Sequence, residues 1–332
     1  MKPFAFYRAQ SSADAIDAAA SQRAGAQFIA GGTNMLDYMK LNVLQPDQLV
    51  DINALAKSEH GRIEVTDGGL RLGALVRMAE AQDHPLIKRD YPVIAESLML
   101  AASQQIRNMA SLGGNILQKT RCEYFRETSW PCNKRNPGSG CAAFDGVNRE
   151  HAVLGGGPAC IATYHGDFAQ ALIALDATIE IAGPRGHRKI SFSKLHRLPR
   201  DTPNIETTLE PSELVTFINV PAGRHTRRSR YLKIRDRQSY QFALASVALA
   251  LDLEADTVRD VRIALGGVAT IPWRALEAEE ALRGKVLDDE AAHRAADLAF
   301  AGAEPREHNA FKIPLGKATV VRALREAKEM KV

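Results

Sequence analysis

A chain of 332 residues is longer than one hydrophobic core usually supports, and 45% apolar residues suffice to fill two. Its 43 basic and 39 acidic residues leave a formal charge of +4, too even a balance for a nucleic-acid footprint unless the charge is clustered. The N-terminus MKPFAFYRAQ lacks the apolar core of a secretory signal, and the longest apolar run, Phe242 to Leu251, is too short for a membrane span, so neither export on its own address nor membrane insertion is expected.

In chain order, GAQFIAGGTNMLDYMKL predicts a short strand, a glycine turn from Ala30 to Asn34, and a helix on which Met35, Leu36, Met39 and Leu41 fall near helical spacing. QLVDIN is a second strand. GRIEVTDGGLRLGAL is a hairpin, because apolar residues alternate on both sides of Asp67-Gly68-Gly69, a sequence that tolerates positive φ. Helical patterns occupy roughly Ala79 to Leu86 and Tyr91 to Ser103. From Gln118 to Pro158 the chain is rich in Gly, Pro, Asn and charge without a sustained period, and a loop that long inside a compact domain is usually functional or disordered. A helix bearing Phe168, Leu172, Ile173 and Leu175 follows, then strands ATIEIAG and ELVTFINVP, and a domain boundary near Ala222. The basic run RHTRRSR reads as a solvated loop by default and as a docking patch for an acidic partner in the alternative. SRYLKIRDR, FALASVALALDL and VRDVRIALGGVA predict three antiparallel strands, with two or three alanine-rich helices after them. The fold class is α+β.

Two segments place glycines beside hydroxyl and amide groups: AGGTN at Ala30 to Asn34, and QIRNMASLGGN at Gln105 to Asn115. Glycines let a backbone approach a ligand closely, and a pair of such loops can cradle the two phosphates of a dinucleotide. Gly-Gly also makes plain turns. Neither segment has the spacing G-x-G-x-x-G, so a doubly wound nucleotide domain is not supported.

FIAGGTNMLDYMK and IRNMASLGGNI resemble the two FAD-binding signatures of the flavoprotein subunits of the xanthine dehydrogenase, aldehyde oxidase and carbon monoxide dehydrogenase family. HGDFAQALIALDATIEI, LVTFINVP and YLKIRDRQSYQFALASVALAL resemble, in the same order, that family's third FAD contact, its domain junction and the start of its C-terminal domain. The resemblance implies an FAD-binding domain of two subdomains, of the vanillyl-alcohol-oxidase or PCMH type, over residues 1–222. It implies a smaller C-terminal domain of the carbon monoxide dehydrogenase flavoprotein type, three antiparallel strands with helices, over residues 223–332. It places the FAD pyrophosphate on Phe28, Ile29, Ala30, Gly31, Gly32, Thr33, Asn34 and Met35, and lines the cofactor with Ser111, Gly114 and Asn115. Asp167 matches an acidic residue that hydrogen-bonds the cofactor and Lys233 a basic one near the flavin ring, where a cation favours the anionic reduced form. The residues alone also allow Asp167 as a helix N-cap and Lys233 as a solvated strand residue.

Cys122, Cys132, Cys141 and Cys160 are the only cysteines, all within or at the edge of the long loop. Their spacing is not the C-x2-C pairing of zinc ribbons or bacterial ferredoxins, so two disulfides, a zinc ion, an iron-sulfur cluster and free thiols all remain open. RCEYFRETSWPCNKRNPGSGCAAF, HAVLG and CIAT resemble an insertion found in a subgroup of the same family, the flavin subunits of periplasmic aldehyde oxidoreductases, where it carries a 4Fe-4S cluster. By that resemblance all four cysteines are ligands in an insertion at about 118–160, and Lys119, Arg121, Lys134 and Arg135 offset the cluster's charge.

The resemblance implies an electron-transfer subunit of a molybdenum hydroxylase, taking electrons from a small 2Fe-2S subunit onto FAD and passing them to an external acceptor. Oxidation of an aldehyde or N-heterocycle then belongs to a large molybdenum-cofactor subunit, and no catalytic residue is nominated in this chain. His151 and His165 read as structural histidines. Alternatives are a zinc-stabilised scaffold without flavin and a stand-alone flavin reductase. Carriage into the periplasm by a signal-bearing partner is favoured over a cytosolic location.

Overall fold

The protein is described here from a computed structural model covering residues 1–21 and 25–332. Strands β1 (Ala5–Arg8), β2 (Ala26–Ile29) and β3 (Gln48–Asp51) form a parallel sheet in the order β1-β3-β2, with Phe28 opposite Val50. Parallel pairs need crossover connections. The helix Met35–Lys40 fills the expected one between β2 and β3, so the strand, glycine turn and helix lie where their sequence put them. The helix Ser12–Ser21 makes the other crossover and buries Ala15, Ile16 and Ala19.

Strands β4 (Ile63–Thr66), β5 (Gly69–Gly73), β6 (Thr178–Gly183), β7 (Gly186–Ser191) and β8 (Leu214–Pro221) form a second sheet, ordered β4-β5-β8-β6-β7 and antiparallel throughout. The hairpin turns at Asp67-Gly68, with Thr66 paired to Gly69. Helices cover the sheet, and Leu72, Ile94, Leu98, Phe168, Leu172 and Ile218 sit in the shared core. The expected helix at 79–86 is instead two, Met78–Asp83 and Pro85–Asp90, and the next spans Pro92–Met99 rather than running to Ser103. Pro85 makes the break, since proline is tolerated at a first helical position but breaks an interior, and Ala102, with φ +48°, lies outside helical backbone before Ser103 is reached. Part of the second glycine segment, expected to be a loop, is helical. Ser103 caps Gln104–Met109 and Ser111 caps the short helix Leu112–Ile116, each hydroxyl accepting a backbone N–H.

The C-terminal sheet holds the three expected strands, β9 (Ser229–Ile234), β10 (Ala245–Glu254) and β11 (Thr257–Gly266), joined by a two-residue edge strand β12 (Trp273–Arg274). Val247, Leu249 and Leu251 of β10 pack with Ile263 and Leu265 under the helices Leu276–Leu282, Asp289–Ala299 and Lys312–Lys328. The intervening Ala248 and Ala250 join the core of the FAD-type domain instead. Burial on both faces explains why this strand is apolar without alternation.

Part of the basic run at the junction is a helical turn, Arg224–Arg227, rather than a loop, and several of its arginines are paired within the chain. The Arg228 guanidinium donates to the carbonyls of Ala327, Lys328 and Met330, satisfying the end of the last helix. Arg227 pairs with Asp90, and Arg230 with Glu96 and Glu326. Among the described residues no helix is long and apolar enough to cross a membrane.

Lys312, at the start of the last helix, is fully buried and donates to the Gly267 carbonyl at 2.6 Å. Burial lowers its pKa from 10.5 to about 7. Between those two values the unfolded chain keeps a proton that the folded chain has released, so this group makes stability rise with pH. The stability of Lys312→Met relative to wild type should therefore fall as pH is raised from 7 to 10, as read by denaturant titration; a difference independent of pH would contradict the assignment.

Candidate functional site

The two glycine segments meet. A Cβ built on Gly31 would lie 1.9 Å from the carbonyl oxygen of Met109, so the first turn is packed directly on the backbone that leads into Ser111. Gly32 has φ +73°, which glycine adopts at little cost. Asn53 and Arg77 fasten this contact from behind. The Asn53 amide donates to the Ala30 carbonyl at 2.9 Å, and Arg77 donates to Asn53 at 3.0 Å and to the Met109 carbonyl. Neither residue stood out in the sequence. Ser111 Oγ accepts from Gly114 N at 3.2 Å, Gly114 is exposed, and Asn115 Oδ1 is buried without a hydrogen-bond partner. An orphaned amide oxygen beside two glycine-lined backbones suits a ligand rich in phosphate and hydroxyl groups. The residues therefore fit the pyrophosphate and ribityl part of a dinucleotide.

Asp167 and Lys233 are brought together as a buried ion pair at 2.8 Å. Asp167 also accepts from the Tyr231 hydroxyl at 2.6 Å, and Lys233 donates to the Leu100 carbonyl at 3.0 Å. Both structural alternatives are thus overturned: Asp167 makes no side-chain cap to the helix Phe168–Ala174, and the Lys233 ammonium is not solvated. The positive charge expected of Lys233 is compensated locally, so it acts as half of a neutral pair. Burial, then the Asp167 carboxylate, holds the Tyr231 hydroxyl protonated far above the usual phenol range. Tyr231 escaped sequence reading, although its i, i+2 relation to Lys233 puts both on one face of β9.

The long loop is ordered by side chains bonding backbone. One helical turn, Glu123–Arg126, follows Cys122. Asn133 Oδ1 accepts from Gly138 N and Gly140 N at 3.1 and 2.8 Å, and Arg135 donates to the carbonyls of Tyr124 and Phe125 at 3.0 and 2.7 Å. This arrangement makes all four cysteines line one small cavity, with Cys122, Cys132 and Cys160 buried and Cys141 half-buried. All four are free thiols. Cys160 Sγ accepts from Ala162 N at 3.4 Å. Burial pushes the Cys122 thiol up to about 12 and Cys160 to about 11, so they stay protonated unless a metal replaces the proton. Among the described residues no group of three or more His, Cys, Asp or Glu side chains is arranged to hold a metal ion as it stands. The sulfurs surround a space rather than converge on a point. Four soft donors around one cavity, one of them receiving a backbone N–H bond, are a donor set that suits a thiophilic metal centre.

Of the four cations expected to offset a cluster, Lys134 lines the cysteine cavity, while the others are engaged elsewhere. Lys119 and Lys134 both pair with Glu206, Lys134 at 3.0 Å. Arg135 serves carbonyls, and Arg121 reaches back to Asn34 and Tyr38. His151 Nε2 lies 3.1 Å from Cys122 Sγ, and His165 Nδ1 accepts from Arg121 N at 3.2 Å. Burial lowers their pKa values to about 4 and about 3, keeping both neutral near pH 7. His165 is the structural histidine expected; His151 is one only in part, since its Nδ1 is buried without a partner.

Residues 2–223 match the family described as FAD binding domain in molybdopterin dehydrogenase, and residues 230–327 the CO dehydrogenase flavoprotein C-terminal domain. The chain is 45% identical over 334 residues to the aldehyde oxidoreductase FAD-binding subunit PaoB of Escherichia coli K12, covering 99% of each. It is 28% identical to the glyceraldehyde dehydrogenase medium chain of Sulfolobus acidocaldarius, over 79% of this chain and 75% of that one. Among solved structures, carbon monoxide dehydrogenase from Hydrogenophaga pseudoflava superposes with a TM-score of 0.76 at 27% identity, over 98% of both chains. Quinoline 2-oxidoreductase from Pseudomonas putida 86 does so with a TM-score of 0.76 at 25% identity, over 99% of both.

The packing of the two turns makes a prediction. Gly31→Ala should destabilise the protein by about 2 kcal/mol or more, because the Met109 backbone must move. Gly114→Ala, whose added carbon meets only the Ser111 hydroxyl at 3.1 Å, should stay within about 1 kcal/mol. Chemical denaturation distinguishes them, and equal effects would contradict the close approach.

Proposed function

Because the chain belongs to the FAD-binding subunits of the molybdenum hydroxylase family, we propose that it is the FAD- and 4Fe-4S-containing electron-transfer subunit of a complex that oxidises aldehydes. Membership makes it an FAD-binding oxidoreductase subunit. In the proposed complex the organic substrate is oxidised in a large molybdenum-cofactor subunit, and a small subunit with 2Fe-2S clusters relays electrons to this chain. An external acceptor takes them from there. Bound FAD exchanges electrons singly or in pairs, and an iron-sulfur cluster passes them one at a time.

The observation that carries the cluster reading is the single cavity lined by all four cysteines, drawn from points 38 residues apart along an insertion with little core of its own. Cys122, Cys132, Cys141 and Cys160 would hold the metal, with Ala162 N among the amides that bond the sulfurs. FAD would lie on Gly31 to Asn34 and on Ser111 to Asn115. The chain's own residues fix the two glycine backbones against each other, and the Lys233–Asp167 pair stiffens the junction with the C-terminal sheet. The aldehyde class follows the name of the 45%-identical relative, with an N-heterocycle as the second substrate class. The periplasm is proposed as the compartment, reached folded in the company of a signal-bearing partner.

Purified anaerobically, the chain should contain about one FAD and about four iron atoms, and each of Cys122→Ser, Cys132→Ser, Cys141→Ser and Cys160→Ser should lose iron to a similar degree while retaining most of its flavin. One zinc per chain without iron would contradict the cluster, as would loss in two pairs that reductant alone reproduces. A colourless protein without flavin would contradict the electron-transfer role altogether.

A further inference from the structure

The cysteine insertion is clasped to the first glycine turn by more than the FAD reading requires. Arg121, next in sequence to Cys122, has a side chain 17% exposed. Its guanidinium donates to Asn34 Oδ1 and to the Tyr38 hydroxyl, and lies 5.3 Å from the centre of the Tyr38 ring and 5.7 Å from that of Phe242. The nearest carboxylate, Asp37 at 4.0 Å, is already held by Arg126 in a two-pronged pair at 2.6 and 3.1 Å. Arg121 therefore spends its fork chiefly on neutral acceptors in the turn and its helix. Tyr38 is 2% exposed, donates to the Lys119 carbonyl at 3.2 Å, and packs in one apolar cluster with Cys122, Cys132, Cys160 and Phe125. One face of the helix after the turn is thus made of the insertion itself.

A planar fork that binds two acceptors at once fixes their relative position in a way a flexible ammonium does not. Removing the metal from a loop with so little core should free the loop, and Arg121 with it. We propose that Arg121 is a positioning residue that sets the Asn34 side chain for FAD, and that through it flavin binding and cluster assembly are cooperative. The inference rests on the proposed iron-sulfur and FAD sites. Cooperativity of this kind is reciprocal: whatever factor the cluster adds to FAD affinity, FAD adds to cluster retention.

The test uses the full-length chain, stripped of flavin and titrated with FAD by fluorescence quenching, with iron present and after chelation, in wild type, Arg121→Met, Arg121→Lys and Tyr38→Phe. Iron removal should weaken FAD binding by wild type by about 5- to 150-fold, the usual range of such coupling. Arg121→Met should bind FAD weakly with iron present and lose little more on chelation. Arg121→Lys should not restore coupling, and Tyr38→Phe should reduce it in part. In the reverse direction, FAD should slow iron loss to a chelator in wild type and not in Arg121→Met. Should Arg121→Met fail to assemble a cluster, the wild-type pair of titrations still decides. Equal FAD affinity with and without iron overturns the proposal while leaving both cofactor sites standing. Wild-type coupling that persists undiminished in Arg121→Met overturns the role of Arg121 alone. A wild-type chain with flavin but no iron removes the cluster reading and the proposal together.

Discussion

Tyr38 lies where two sites need the same wall. Its ring seals the apolar side of the cysteine insertion, while its backbone belongs to the helix that follows the first glycine turn. A loop held largely by side chains bonding backbone N–H and carbonyl groups, Asn133 and Arg135 prominent among them, cannot fold by burying surface of its own. It borrows a core from Tyr38 and a charged clasp from Asp37, and on its other flank Arg149 pairs with Asp236 in the loop after β9. The cysteine loop is thus integrated into the packing around the first glycine turn.

The C-terminal sheet imposes the second constraint. With Ala248 and Ala250 facing the flavin domain and Val247, Leu249 and Leu251 facing its own helices, β10 is shared between two cores. That sharing takes Tyr231 and Lys233 into the interface, where the Asp167 carboxylate must be satisfied. A buried pair of this kind contributes little net stability against an apolar substitute, but removing one partner leaves an uncompensated charge. Loss of Lys233 is therefore first a folding defect and only second an effect on a flavin potential.

Much of this was legible in the sequence, for identifiable reasons. Strands with alternation or glycine turns, such as β4 and β5, and the glycine segments themselves, carry their signal locally. The cysteines announced a unit by isolation in an otherwise cysteine-free chain, though their spacing alone left its chemistry open. Pro85 at a first helical position separates Met78–Asp83 from Pro85–Asp90, a break that apolar spacing alone does not mark. The unread part is tertiary. Arg121 meets Asn34 across 87 residues and Lys134 meets Glu206 across 72, and no window along the chain contains both partners. Cations that looked like a counter-charge for a cluster, or like a docking patch at Arg224 to Arg230, are mostly committed to carbonyls and carboxylates that composition does not locate.

The central claim, that the insertion wraps an iron-sulfur cluster beside an FAD cradle, is tested most directly by anomalous diffraction at the iron absorption edge from crystals grown anaerobically with FAD. The account predicts an iron peak in the cavity between Cys122, Cys132, Cys141 and Cys160, and flavin diphosphate density against Gly31 to Asn34. Sulfur atoms joined in pairs with no iron signal between them would contradict it.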